Sequence, residues 1–383
     1  MRAITTGKTT SRPLRIQVDA RLLRGGGIGR YIREVTGRWL SRPDVGALRY
    51  FGRPGELEPF LAEWDARGIA EVVVWADRPY CPMGQMRWPL LAHRLSWPAD
   101  VTFLPHYDVP LLRPPTPSVV TIHDLIHFER PYGFPAWKRA LGMTLMRRAM
   151  EGAAAIVTVS DASRHAIAEL SPSLARKVHV VRNGVGEEFR PLTSTEGAAA
   201  SREWGHLQPF VLCVGPNKPH KNLAQAMDVL ARLPAEEKWR LVLVGPSRGD
   251  VDRLVARSGI PEVGSRVVVT GPVTDGDLRS LYGLAAAVLV PSRQEGFGLP
   301  VLEASACGAR VIVRDLPWAR ELPRPGVTLM SSWSPRAWAK EVQTPPPDGR
   351  AIARDRWTWD VAAERTFDLL TCAAEVGERK RVF

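Results

Sequence analysis

Two glutamates eight positions apart, Glu295 and Glu303, flank a turn whose glycines, Gly296 and Gly298, let a ligand approach the backbone. The apolar run 285–290 before the turn reads as a short buried strand, and 301–307 after it as a helix ending at Gly308. A strand, a glycine turn and a helix N-terminus make an anion site, because the N–H groups that open a helix favour a phosphate. Carboxylates beside a bound phosphate would repel it, so Glu295 and Glu303 are better matched to hydroxyl donors such as those of sugar and ribose. One turn with phosphate donors and hydroxyl acceptors describes a nucleotide-sugar site. A second cationic point lies upstream. The apolar run 210–214 leads into Gly215-Pro-Asn-Lys-Pro-His-Lys-Asn222 and then into a helical pattern through Leu223, Met227 and Leu230, which makes Lys221 the candidate phosphate residue.

The elements that must carry these groups alternate strand and helix along the chain, the pattern of parallel sheets with crossover helices. Residues 14–18 alternate as a first strand ending at Asp19. A glycine run from Arg24 to Tyr31 then precedes a helical pattern through Ile32, Val35 and Leu40. That run lacks the G-x-G-x-x-G spacing and the acid some ~20 residues on, so a dinucleotide cofactor is unsupported. Val72 to Trp75 reads as a buried strand, and residues 133–155 as an amphipathic helix with a basic face. Two further strands, 102–104 and 119–122, run into His106 and into His123 with Asp124, where ligands of open α/β sheets bind. Thr274-Asp-Gly-Asp277 formally holds a D-x-D pair, but it opens a helical run, so Thr274 or Asp275 reads as a cap and not as a metal ligand. A linker is expected at 190–203, where Pro, Ser, Thr and Gly collect.

A length of 383 residues exceeds the usual single core, which argues for two domains. Hydrophobic content of 45% and charged content of 24% are those of a globular protein. Cys81, Cys213, Cys307 and Cys372 lie too far apart for a metal site and read as small hydrophobes in a reducing cytosol. Residues 1–13 form a polar, basic tail without an apolar signal-peptide core, and no run approaches the ~18 apolar residues of a membrane span. The expected location is therefore the cytoplasm. A net charge of +12 suits a phosphorylated substrate or an anionic membrane surface. Nucleic acid is disfavoured because the arginines are scattered and no nucleic-acid module is present. The basic, aromatic stretch 86–97 is a second membrane-surface candidate, with an ordinary helix as the blander account.

The run Glu295-Gly-Phe-Gly-Leu-Pro-Val-Leu-Glu303 resembles the E-x7-E motif of the family 4 (group 1) retaining glycosyltransferases. So do Asp19-Ala-Arg with Gly27-Ile-Gly-Arg-Tyr31, Pro105-His-Tyr107, Thr121-Ile-His-Asp-Leu125, Asn183-Gly-Val185, Lys221-Asn-Leu223 and Trp357-Thr-Trp359, so the likeness runs from Asp19 to about Leu370. The resemblance implies the α/β GT-B fold, two Rossmann-like domains facing each other across a cleft. Residues 14–190 would form the acceptor domain and 204–356 the donor domain, with a helix at about 360–378 crossing back onto the first. It assigns catalytic roles to His106, Glu295 and Lys221, with His106 touching the sugar or its phosphate. Donor contacts would come from Gly215, Gly271, Gly296, Phe297, Gly298, Leu299 and Glu303, and from Gly27 and Gly29 in the first domain. His123 and Asp124 would shape the acceptor side. Two departures thin the diphosphate contacts: His220 stands where family members often carry arginine, and Pro216 where some do.

The implied activity is metal-independent transfer of a hexose, mannose favoured, with retention of configuration. The donor is a nucleotide-diphosphate sugar, GDP-mannose by family weighting, and no separate cofactor is expected. The acceptor is a glycan, a lipid-linked species or a small molecule, with a peripheral contact at the inner membrane surface. Three alternatives stay open on the residues. They are a sugar-nucleotide epimerase or hydrolase on the same scaffold, a non-catalytic sugar-nucleotide-binding protein, and a basic scaffold whose binding collapses with salt.

Overall fold

Strands buried on both faces dictate the architecture. Val101–Leu104 and Ser118–Ile122 are buried at every position, which calls for sheets covered on both sides and parallel strands joined by crossovers. The structure, a computed structural model, describes residues 12–75, 98–109, 114–126, 136–258, 261–345 and 356–382, with isolated positions between 77 and 86. The stretch 86–97 thus lies, apart from its first residue, outside the described residues, as does the tail up to residue 11. The chain divides into two units, residues 1–184 with 358–383, and residues 185–357.

The first unit holds β1 (Leu14–Asp19), α1 (Gly26–Leu40), β2 (Val45–Gly52), α2 (Pro54–Trp64), β3 (Ala70–Val74), β4 (Val101–Leu104) and β5 (Ser118–Ile122). After these come α3 (Ala136–Gly152), β6 (Ala155–Thr158), α4 (Asp161–Leu170) and β7 (Val178–Val180). The seven strands are parallel in the order β3-β2-β1-β4-β5-β6-β7, so the order reverses between β1 and β4. Alternation along β4 shows both faces covered. Phe103 packs on Trp39 of α1, centroids 5.1 Å apart, while Leu104 joins Met146 and Met150 of α3 in the opposite core.

The second unit holds α5 (Ser194–Trp204), β8 (Phe210–Val214), α6 (Leu223–Leu230), β9 (Arg240–Val244), α7 (Arg248–Ser258), β10 (Val267–Gly271) and α8 (Asp275–Leu284). It continues through β11 (Ala287–Val290), α9 (Leu299–Ala306), β12 (Val311–Arg314), α10 (Pro317–Arg320), β13 (Val327–Met330) and α11 (Pro335–Gln343). Its six parallel strands run β10-β9-β8-β11-β12-β13 and reverse between β8 and β11. A final helix, α12 (Trp359–Val382), belongs to the first unit. Trp39 Nε1 donates to Ala363 O at 3.0 Å, and Arg38 pairs with Asp360 at 2.7 Å.

Three expectations are corrected. The stretch 190–203 is not a plain linker. Thr193 and Glu196 form a capping box that starts α5, and the chain passes between units at 184–185 and 357–358. The glycine run is not a loop up to Tyr31, since α1 begins at Gly26. A Cβ on Gly29 would lie 2.3 Å from Leu23 O, so this glycine is there for close packing of the helix start on the preceding turn. Finally, the strand before Trp75 is not buried. As β3 it is the sheet's edge, with Val74 61% exposed.

Candidate functional site

In open α/β sheets a ligand sits beyond the carboxyl ends of the strands, where the strand order reverses. In the second unit that point lies between β8 and β11, and the segments following these two strands bring Lys221 and Glu295 together. Lys221 Nζ lies 2.6 Å from Glu295 Oε1, with side chains 15% and 11% exposed. Ser292, buried in the same loop, donates its hydroxyl to that oxygen at 2.7 Å. The loop is tied to the β8 side by Arg293 N–H donating to His220 O at 2.7 Å. Asn222, with a φ of 52°, turns the chain from this lysine segment into α6.

Beside the pair runs a row of bare backbone. Gly215 follows β8, Gly245 follows β9 and Gly271 ends β10, with φ of 127°, 107° and 71°. The ladder continues through them: Gly215 N–H donates to Val244 O at 2.9 Å and Gly245 N–H to Gly271 O at 3.1 Å. A Cβ on Gly215 would stand 3.7 Å from Lys221 Nζ, so the lysine lies directly over the first member of the row. Such a shelf leads from the ammonium towards β10 and can seat an extended ligand against main chain. Sequence reading chose Gly215 and Gly271 and missed Gly245, although its strand-to-glycine step at Val244 is the same signal.

On the other side stands α9. Gly298 is its N-cap with a φ of 90°, and Phe297 is buried against Trp357 at 5.9 Å between centroids. Gly296 and Leu299 are partly exposed on either side of this cap, which leaves the turn open to a ligand. A Cβ on Gly298 would fall 2.5 Å from Trp318 Cζ3. Gly298→Ala therefore combines a left-handed backbone with an overpacked ring, each ~1–3 kcal/mol. We expect urea unfolding of the second unit to show a loss of at least about 2 kcal/mol, and a stability within ~0.5 kcal/mol of wild type would refute the close fit. Glu303, inside α9, is buried and accepts from Tyr282 Oη at 3.0 Å. Tyr282 gave no sequence signal, because a tyrosine on the apolar stripe of α8 reads as core. Of the D-x-D pair, Asp277 is engaged in a capping box with Thr274. Among the described residues no group of three or more His, Cys, Asp or Glu is placed to hold a metal ion.

The reversal point of the first unit carries a different constellation. Asp19 ends β1, and Arg21 grips it through Nη2 at 2.7 Å and Nε at 3.0 Å, while Nη1 reaches Asp108 Oδ2 at 3.2 Å. The guanidinium also lies 3.7 Å over the Trp75 ring. Burial alone would raise the Asp19 pKa, but Arg21 and His106 outweigh it and hold the carboxyl well below its ordinary range. His106, 2% exposed, accepts from Asp108 N–H at Nδ1 (3.0 Å) and turns Nε2 towards Asp19 Oδ2 at 3.5 Å. With Nδ1 accepting from the backbone, Nε2 is the ring nitrogen that can donate towards Asp19. His106 is thus enclosed by Asp19 and Asp108 at the end of β4. Asp19, Arg21 and Asp108 were not read as site residues, though the Asp-Ala-Arg run at a strand end was visible.

His123, at the end of β5, is the more open of the two histidines. Its Nε2 donates to Pro105 O at 2.9 Å, and its ring meets Tyr31 edge-on at 4.9 Å. Burial pushes its pKa down to about 4, so at neutral pH the ring is uncharged and keeps Nδ1 as an acceptor. Asp124 Oδ1 accepts from Ile126 N–H at 3.2 Å, a local turn bond that fixes the carboxylate beside the histidine. Gly27 is exposed and Gly29 buried, both in the first turn of α1.

Two parallel Rossmann-like sheets, one with a lysine–glutamate pair beside a row of glycines, define an α/β protein of the GT-B fold, the fold of its solved neighbours. Residues 25–189 match the model of Glycosyltransferase Family 4 and residues 198–344 that of Glycosyl transferases group 1, and the chain belongs to this glycosyltransferase family. The serotype-specific mannosyltransferase WbdA of Escherichia coli is 31% identical over 216 residues, 54% of this chain and 26% of that protein. The O-antigen chain mannosyltransferase B of Escherichia coli is 30% identical over 205 residues, 52% of this chain and 53% of that protein. The chain thus spans between a quarter and about half the length of these relatives. Among solved structures, Anabaena Alr3699/HepE in complex with UDP-glucose superposes with a TM-score of 0.67 at 19% identity, covering 97% of this chain and 100% of that one.

Proposed function

We propose that the protein transfers a hexose, mannose favoured, from a nucleoside-diphosphate sugar to a hydroxyl of a glycan, lipid-linked or small-molecule acceptor. The observation that carries this reading is the meeting of Lys221 and Glu295 at the β8–β11 reversal, beside the shelf of Gly215, Gly245 and Gly271. As the glycosidic bond breaks, negative charge builds on the departing diphosphate. Lys221 and the Leu299 N–H that opens α9 neutralise it without a metal. Glu295 accepts from sugar hydroxyls and Glu303 from ribose hydroxyls, each a charge-assisted bond. With the lysine on the leaving group, attack from the same face retains configuration, and the two carboxylates need not serve as an acid and nucleophile pair. His123, neutral and with Nδ1 as acceptor, and Asp124 serve the acceptor side.

Mannose is favoured because mannosyltransferases stand among the relatives, and GDP-mannose is the matching donor. The UDP-glucose held by the Anabaena protein keeps UDP-sugars in the comparison. No helix among the described residues is long and apolar enough to cross a membrane. A peripheral contact with an anionic membrane surface, on the cytoplasmic side, is supported by the net charge of +12 and by Trp137 (64% exposed) and Leu141 on α3. Flotation with anionic vesicles reads that contact, and recovery of all protein in the unbound fraction at low salt would remove it.

A thermal-shift panel of GDP, UDP and dTDP with their sugars tests the donor. A ligand at 100 times its dissociation constant stabilises by ~2.7 kcal/mol. GDP-mannose is expected to give the largest shift, and no shift with any of them would overturn the reading.

A further inference from the structure

The ion pair between Lys221 and Glu295 has a consequence for which ligands the site holds. The lysine is the cation closest to the first glycine of the shelf, yet its ammonium is already matched, at 2.6 Å, by a carboxylate of similar burial. A diphosphate approaching Gly215 meets a neutralised cation with an anion beside it. The pair therefore opposes the binding that the lysine alone would favour. The glutamate can let go only if other donors replace the ammonium. Ser292 already supplies one, at 2.7 Å to the same oxygen.

We propose that the Lys221–Glu295 pair discriminates an intact sugar nucleotide from the bare nucleoside diphosphate. Sugar hydroxyls take over Glu295 as hydrogen-bond donors, and Lys221, released, turns its charge on the diphosphate. A diphosphate without a sugar brings no such donors and must break the pair unaided. After transfer the sugar is gone, Glu295 recaptures Lys221, and the nucleoside diphosphate loses its counter-charge and leaves. The inference rests on the donor reading above and adds to it a device against product inhibition. No bond is made or broken by the pair itself, since one ionic hydrogen bond is exchanged for others.

Isothermal titration calorimetry with nucleoside diphosphates (GDP and UDP) and their sugars, on the full chain, tests it. Glu295→Gln keeps the shape and removes the anion. It should bind the nucleoside diphosphate at least about tenfold more tightly than wild type, about 1.4 kcal/mol. The preference of wild type for the sugar nucleotide should shrink in that variant. Glu295→Ala, which frees the lysine by truncation, should move diphosphate affinity in the same direction. Adding Lys221→Met to Glu295→Gln should abolish the gain. Unchanged or weaker diphosphate binding in both Glu295 variants, folded by their thermal melts, would overturn the discriminator while leaving the donor reading in place. Failure of wild type to bind any sugar nucleotide or diphosphate would instead sink the donor reading, and the discriminator with it.

Discussion

Replacing Lys221 by methionine should lower turnover by at least about a hundredfold, because removing one preorganised charge-stabilising group costs ~2.7–4 kcal/mol of barrier. Methionine keeps most of the stem that lies over Gly215 and removes only the ammonium. The backbone of the turn is held independently, by Arg293 N–H to His220 O and by Lys221 N–H to Lys218 O, so the site's shape should persist. The loss should fall mainly on kcat, since the charge that lysine meets is greatest as the bond to the sugar breaks. KM should rise as well, because Glu295, left without its partner at 11% exposure, repels the diphosphate. Adding Glu295→Gln to Lys221→Met separates the two effects by relieving the repulsion without restoring leaving-group stabilisation. Steady-state kinetics with the donor identified by the thermal-shift panel decide it. A kcat within about threefold of wild type would remove Lys221 from the chemistry.

What could be read from the chain follows from which interactions are local. The turn from Glu295 to Glu303 was legible because its glycines, its proline and its carboxylates act within one strand–turn–helix step, and all appear in consecutive residues. Lys221 was legible for the same reason. Their pairing was not, because 74 residues separate them and only the order of strands β8 and β11 makes them neighbours. The reach of Arg21 to Asp108 was missed likewise, as it depends on β4 lying beside β1. Two errors came from reading composition over mechanism. Pro, Ser, Thr and Gly suggested a linker at 190–203, although Thr193-x-x-Glu196 was a capping box in plain sight. The glycines at 25–29 suggested a loop because glycine is a poor helix former, yet Gly25 and Gly29 pack closely against the backbone of Leu22 and Leu23 at the start of the helix. Edge status, as in β3, has no local signature at all.

Arg21→Leu should destabilise the first unit by ~3–5 kcal/mol, the usual result of removing one partner from a buried ion pair. The reason is the company it leaves. Asp19 and Asp108 are about 1% and 0% exposed, and no solvent can replace the guanidinium that joins them. Leucine also gives up the contact of the cation with the Trp75 ring. The pH dependence follows from the direction of the Asp19 shift. With its folded pKa depressed by Arg21 and His106 against the effect of burial, Asp19 contributes stability above its unfolded pKa of ~3.9. That contribution is lost only as pH falls through the folded value, in strongly acid solution. Without Arg21 burial prevails and the Asp19 pKa rises, so the folded variant takes up a proton where wild type does not. The deficit should then be largest at neutral pH and shrink on acidification towards pH ~4. Adding Asp19→Asn to Arg21→Leu removes the stranded charge and should recover part of the loss. Urea titrations at neutral and mildly acid pH read these differences from the transition of the first unit. A loss below ~1 kcal/mol at neutral pH, or one that acid does not reduce, would mean that water reaches these carboxylates and that the cluster around His106 is not closed.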